Sequence, residues 1–401
     1  MKSSADYIQL SEKFSAHNYA PLDVVISEGK GSWVTDVEGK RYLDLLSGYS
    51  ALNFGHCNPR LEEAAIKQLK KLTLTSRAFH NDQFSLFCSE FAELCGMESV
   101  VLMNSGAEAV ETAVKIARRW GYRRKGIAAG KAEIIAFSGN FHGRTTTIIS
   151  FSDSDSSRED FGPFTPGFKV TPYGDLNKVK AAITSETAAV LIEPVQGEGG
   201  VIFPPDGFLR DLRALCTERN VLMIADEIQS AFFRTGTLFA CHHEKVHPDM
   251  VIVGKSLGGG IVPISAVASS REIMEVLTPG SHGSTFGGNP FACAIAREVI
   301  NLLKEKGLGD RVKGLGAHFE KALREIAAKS SKVDGIRARG LFFGFDIKPS
   351  EGKAKKICIE LKNLGVLAKD TREQTIRFAP PLTVTREELD YGIERIRQVL
   401  V

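Results

Sequence analysis

The sequence predicts an α/β fold, a mostly parallel sheet wrapped by helices with a smaller α+β domain attached. Three observations predict it. Short apolar runs alternate with stretches of helical period through the middle of the chain. Polar residues stand where those runs end, and Glu193, Asp226 and Lys255 leave gaps of roughly 30 residues, room for crossover helices. From about Asn301 the texture changes to longer helical stretches and fewer apolar runs. At 401 residues the chain exceeds one small core and fits two domains.

Taken in order, the expected strands of the large sheet are 100–103, 133–137, 188–193, 221–226 and 250–255. After the first, Val110, Ala113, Val114 and Ala117 recur at i, i+3, i+4 and i+7, a helix with Gly121 as its C-cap. Residues 301–306 and 311–329 read as helical. "GIRARGLFFGFDI" reads as one strand around a glycine pair, followed by a helix over 353–364 and a strand near 375–378. Thr385 and Glu388 form a capping box for a final helix. The first 40-odd residues are expected to complete the smaller domain.

Composition excludes several classes. Net charge is +3 with the basic residues scattered, so no footprint for nucleic acid exists. Seven cysteines, widely spread and never in a C-x-x-C pair, fit a reducing compartment without a disulfide framework. The N-terminal stretch has no apolar signal region, and no window is apolar over a bilayer's thickness, so a cytoplasmic protein away from membranes is expected. His56 and Cys57 in "FGHC" lack further ligands at usable spacing, and no metal is assigned.

In open parallel sheets ligands sit beyond the carboxyl ends of the strands. Lys255, ending "MVIVGK", is either a surface lysine closing a strand or an amine held for its chemistry. Asp226 follows five apolar residues, so its carboxylate requires a partner: an ion pair, a helix cap or a protonated ring nitrogen. Ser105 and Gly106 in "NSGAEA" stand where a helix begins, as plain capping or as a phosphate cup. An amine, a carboxylate and a phosphate cup on neighbouring strand ends are the three groups that pyridoxal 5'-phosphate requires.

These residues belong to longer stretches, "MNSGAEAVETAVKIAR", "GNFHGRT", "IEPVQGEGGV", "ADEIQ", "GKSLGGG" and "HGSTFGGNP". Through them nearly the whole chain resembles the class-III, fold-type I pyridoxal-phosphate aminotransferases. Through "AHNYAPL", "LTLTSRAFH", "RRWGYRRKG", "FGPFTPGF" and "IRFAPPL" it is most similar to the ornithine aminotransferase branch. The resemblance implies a seven-stranded, mostly parallel sheet in a large domain over 46–295. It implies a small domain over 296–401, joined by an N-terminal segment over 1–45. Lys255 is then the amine that binds the cofactor covalently, and Asp226 keeps the ring nitrogen protonated. Gln229 contacts the ring hydroxyl, Phe141 stacks on the ring, and Ser105, Gly106 and Ala107 hold the phosphate. Thr285 reaches the phosphate from the other subunit of a homodimer with shared active sites. Tyr19 and Arg144 hold the substrate's carboxylate end, and Tyr49 lines the pocket. Arg377 and Glu198 form a substrate-dependent switch.

The implied reaction moves the terminal amine of ornithine to 2-oxoglutarate. Other ω-amines (N-acetylornithine, 4-aminobutyrate) are the alternative substrates, and an aminomutase the alternative reaction. Beside the resemblance, Arg377 in "TIRFAPP" sits within an apolar strand and requires a partner, whereas Arg144 in "FHGRTTT" reads equally as a surface arginine. His142 is expected to pack beside Gly143 rather than to act as an acid or base. The chain departs from the ornithine branch at Phe232 and Phe233, which replace small residues and are expected to narrow or reshape the pocket. Gly199 stands where alanine is usual, and Phe54 where glutamine is.

Overall fold

The structure, a computed structural model, describes residues 2–401. Its large sheet has seven strands in the order Ser99–Met103, Ser265–Ser269, Met250–Val253, Leu222–Asp226, Thr187–Ile192, Glu133–Phe137 and Phe168–Thr171. The last five run parallel, and Ser265–Ser269 is antiparallel to both of its neighbours. Successive side chains alternate between two cores. Ile134, Ala136, Ala189, Leu191, Ile224 and Ile252 pack under one helical layer, while Ile135, Phe137, Val190, Ile192, Met223 and Ala225 pack under the other. A sheet covered on both faces needs such continuous apolar runs. That is why its central strands were legible, whereas "SAVAS" at 265–269 and "FKVT" at 168–171 lack such a run.

The helix Gly106–Trp120 is closed at its start by a capping box between Ser105 and Glu108. It does not stop at Gly121. That glycine keeps helical angles and begins one wider turn, Gly121–Lys125, which ends at Gly126 with φ +81°. Gly121 is needed for closeness instead: a Cβ there would stand 3.0 Å from the Ala188 side chain.

In the small domain "GIRARGLFFGFDI" forms two strands rather than one, Val333–Arg339 and Phe342–Ile347, paired antiparallel. The turn at Gly340 has φ +60°, and a Cβ there would meet the Thr235 backbone at 2.5 Å. Thr375–Phe378 and Lys369–Thr371 complete that sheet. Near the N-terminus Ile26–Lys30, Trp33–Asp36 and Arg41–Asp44 form a second sheet, extended in parallel by Val366–Leu367. Leu43 and Leu45 share one core with Val312, Phe319, Phe343 and Leu389. Glu388 fastens the arrangement by closing its helix with Thr385 while accepting the Trp33 indole N–H at 2.8 Å.

The boundary expected after residue 295 falls inside the helix Pro290–Leu303, whose Ala292, Ile295, Val299 and Leu303 are buried in the large-domain core. We place the passage between domains at Gly307 (φ +84°), just before the helix Leu308–Lys329.

Candidate active site

Five polar side chains meet at the carboxyl edge of the large sheet. A cavity of about 180 Å³ there is lined by Lys255, Asp226, Glu193, Gln229, Phe141 and His142 among others, with Gly106 and Ala107 at one end. Strand Ser99–Met103 runs in the same sense as the parallel strands, because one antiparallel strand separates them. Its following helix therefore starts at the same edge.

Lys255 stands one residue, Gly254, beyond the buried strand Met250–Val253. Its backbone is left-handed (φ +45°), an uncommon state for a side-chain-bearing residue and one that clusters at functional sites. Burial, reinforced by the Arg377 cation, pushes its amine down to about 8 against the pull of Glu198 and Asp226. Roughly a tenth of the amine is then neutral at pH 7, far more than for an ordinary lysine, and that fraction is nucleophilic.

Asp226 is buried and accepts from the Ile228 N–H at 3.1 Å. Its other oxygen lies 2.6 Å from His142 Nδ1. Burial alone would lower the histidine's proton affinity, but the hydrogen bond and charge of Asp226 outweigh it and raise it. His142 is thus more than a packing residue: it orients the Asp226 carboxylate. The sequence signal was a histidine in the loop after one strand and an aspartate ending another, a pairing only the sheet order reveals. Glu193, at the next strand end, is raised to about 7 by burial and by Asp226, opposed by His142 and the Phe141 N–H it accepts at 3.0 Å.

At the helix start Glu108 accepts the N–H groups of Asn104 and Ser105, and the Ser105 hydroxyl is held in the capping box. Gly106 and Ala107 occupy the first two helical positions, whose N–H groups have no partner inside a helix. Two glycines keep the space open. A Cβ on Gly106 would stand 3.0 Å from Ile228, and one on Gly143 would stand 2.9 Å from Ala107. Phe141 also lines the cavity, with the Arg144 guanidinium 5.5 Å from its ring centre.

Arg377 is almost wholly buried and donates to Glu198 at 2.8 Å and to Gln229 at 3.3 Å. Gln229 in turn donates to Glu198 at 3.3 Å. The Tyr49 ring covers the guanidinium at 4.8 Å, and residues Ser47 to Ser50 all have positive φ. The loop bearing Glu198 reaches Arg377 by crossing Gly344, where a Cβ would meet the Gly200 carbonyl at 2.5 Å. Tyr19, Arg144 and Thr285 are exposed in the single chain and do not line the cavity.

Phe232 and Phe233 do not narrow the pocket. Phe232 is fully buried in the large-domain core between Phe91 and Phe239, and Phe233 packs between that core and the small-domain one. Phe54 is buried in the same large-domain core. The aromatic departures are core changes, behind the site rather than in it.

The sequence profile named "Aminotransferase class-III" matches residues 14–400. The chain belongs to the class-III aminotransferases. An ornithine aminotransferase of Brevibacillus brevis is 52% identical over 393 residues, 98% of this chain and 97% of that one. Among solved structures, an ornithine aminotransferase from Toxoplasma gondii with PLP at partial occupancy in its active site gives a TM-score of 0.98. It is 44% identical and covers 100% of this chain and 94% of its own. An acetylornithine aminotransferase from Elizabethkingia anophelis gives 0.90 at 42% identity, with coverage of 100% and 99%. Fold similarity therefore does not separate the two substrates. This aminotransferase depends on pyridoxal phosphate, and the cavity fits the group: a desolvated amine, a fixed carboxylate, an aromatic face and unclaimed helix N–H groups surround a space that two glycines keep clear.

Proposed function

We propose that the aminotransferase moves the terminal amino group of L-ornithine to 2-oxoglutarate. The products are L-glutamate and glutamate 5-semialdehyde, which cyclises to pyrroline-5-carboxylate. The observation that carries this reading is the Glu198–Arg377 pair in the site. Ornithine reacts through its terminal amine and brings no carboxylate to the reacting carbon, so Glu198 neutralises the arginine. Glutamate reacts through its α-amine and brings one, for which Arg377 is released to make a bidentate pair. The names of the relatives support the same substrate.

Bound pyridoxal phosphate supplies an electron sink for the pair left when the substrate carbon loses its proton. The chain does the rest. Lys255 would hold the cofactor through its amine and, as a free amine, would take up and return the proton at the substrate carbon. Asp226, oriented by His142, holds a proton on the ring nitrogen. Gly106 and Ala107, with Ser105, hold the phosphate, Phe141 covers the ring, and Gln229 meets the ring hydroxyl. Tyr19 and Arg144 hold the far carboxylate of the substrate, and Tyr49 forms the wall beside Arg377.

The working unit we propose is a homodimer with shared sites. Tyr19 and Phe79 are each 72% exposed and Phe286, beside Thr285, is 56% exposed, apolar surface that a second copy would cover. Among the described residues no helix is long and apolar enough to cross a membrane, and all seven cysteines are free, which supports a cytoplasmic setting.

The test is to add ornithine, N-acetylornithine, 4-aminobutyrate and glutamate separately to the cofactor-loaded enzyme and follow loss of its visible absorbance. Rapid loss with ornithine and glutamate alone is expected. A response to 4-aminobutyrate in place of ornithine would overturn the assignment. A neighbouring specificity for N-acetylornithine is the second reading, favoured by Gly199 and by the Elizabethkingia structure.

A further inference from the structure

The segment between Thr278 and Asn289, which carries Thr285, is fastened at three points, two on one helix and the third on the residue just before that helix's N-cap. Arg119 donates to the Thr278 hydroxyl at 3.1 Å, His282 sits between Lys115 and Thr112, and Asn104 donates to the Ser284 hydroxyl at 3.0 Å. The helix is Gly106–Trp120, whose start forms the phosphate cup.

The chemistry at His282 admits one protonation state. The Thr112 hydroxyl donates its proton to the Glu108 carbonyl at 2.7 Å, so it accepts from His282 Nε2–H at 2.8 Å. The Lys115 ammonium, 2.9 Å from Nδ1, has no lone pair and must donate. His282 is therefore neutral, with its proton on Nε2. A second proton would remove the acceptor at Nδ1 and set two cations against each other. Glu108 is the carboxylate that opposes this, but it is already engaged by Asn104 and Ser105. Thr285 and Phe286 meanwhile are both exposed and do not line their own chain's cavity.

We propose that neutral His282 is a positioning residue that holds Thr285 for the phosphate site of a second copy of this chain, and that protonating it loosens cofactor binding. The inference rests on the reading that Thr285 serves a neighbouring subunit. Burial and the Lys115 cation lower the proton affinity of His282, so the clamp is engaged at neutral pH and fails on acidification.

The experiment measures release of pyridoxal phosphate from the diluted holoenzyme, titrated downward from about pH 8 through the ordinary histidine range. Wild type is compared with His282→Gln, His282→Ala and Thr285→Ala. Glutamine can donate to Thr112 and accept from Lys115 but does not titrate. Release from wild type is expected to quicken on acidification, with His282→Gln near wild type at pH 8 and lacking that part of the step. His282→Ala is expected to release about tenfold faster at pH 8, the scale of one lost hydrogen bond in a partly buried network. Lys255 and the phosphate titrate alike in wild type and His282→Gln, so the difference belongs to His282. An unchanged acid step in His282→Gln, or wild-type retention in His282→Ala, overturns the proposal. Wild-type retention in Thr285→Ala instead locates the failure in the reading of Thr285. Should His282→Ala fold poorly, the comparison with glutamine alone decides.

Discussion

Arg377 Nη1 lies 2.8 Å from Glu198 Oε1, under the Tyr49 ring and with its Nε left without a partner. Two groups from different domains hold each other's charge inside the site: burial would raise the Glu198 carboxyl, yet Arg377 keeps it below its usual value. Glu198→Ala leaves the cation uncompensated in the ornithine complex, whereas the glutamate complex brings its own carboxylate. The ornithine half-reaction should slow about tenfold or more, with the glutamate half-reaction equal or faster. Single-turnover absorbance with each substrate checks this, and equal effects on both would falsify the switch.

The Lys255 amine should capture cofactor in its neutral form. Its capture rate in the apoenzyme should rise with pH around a midpoint near 8, well below that of an ordinary lysine. Arg377 lowers that midpoint and Glu198 raises it. Arg377→Ala should therefore shift the profile upward and Glu198→Ala downward, read by stopped-flow absorbance.

Asp226→Ala should reduce turnover on the order of a thousandfold, the scale of losing a fixed charge at a reacting centre, and weaken cofactor retention far less. His142 acts through Asp226 and touches no reacting atom in this assignment. His142→Gln should cost about tenfold in turnover and alter the cofactor's pH-dependent absorbance, which a purely structural role would leave unmoved.

Phe232→Ala should cost stability and leave the choice of substrate alone. Its side chain fills the core, so truncation should lower unfolding free energy by about 3–5 kcal/mol. The ratio of kcat/KM for ornithine and 4-aminobutyrate should not move. A changed ratio would return these aromatics to the pocket.

Arg234 is fully buried and reaches both domains, donating to the Leu341 and Pro380 carbonyls and to Asn53 at 2.9, 2.6 and 2.6 Å. Burial pushes it down to about 9, with only the charge of Asp44 opposing. Arg234→Lys cannot reproduce the fork and should cost about 1–3 kcal/mol for each acceptor left unpaired, measured by urea unfolding.

The sequence by itself determined the elements whose signal is local. Central strands buried on both faces need unbroken apolar runs, a capping box is written in two residues three apart, and a lysine or aspartate ending such a run marks the carboxyl edge of the sheet. Tertiary structure decided what depends on residues far apart in the chain. Strand order put His142 beside Asp226, the crossing of Gly344 by a loop brought Glu198 to Arg377, and packing drew Phe232 and Phe233 into the cores. Ser265–Ser269 carries little local signal because small residues have little β preference of their own, and its place is fixed by the two strands it joins. A side chain's type and its neighbours along the chain are local facts, whereas the partner that satisfies a buried charge is set by the fold.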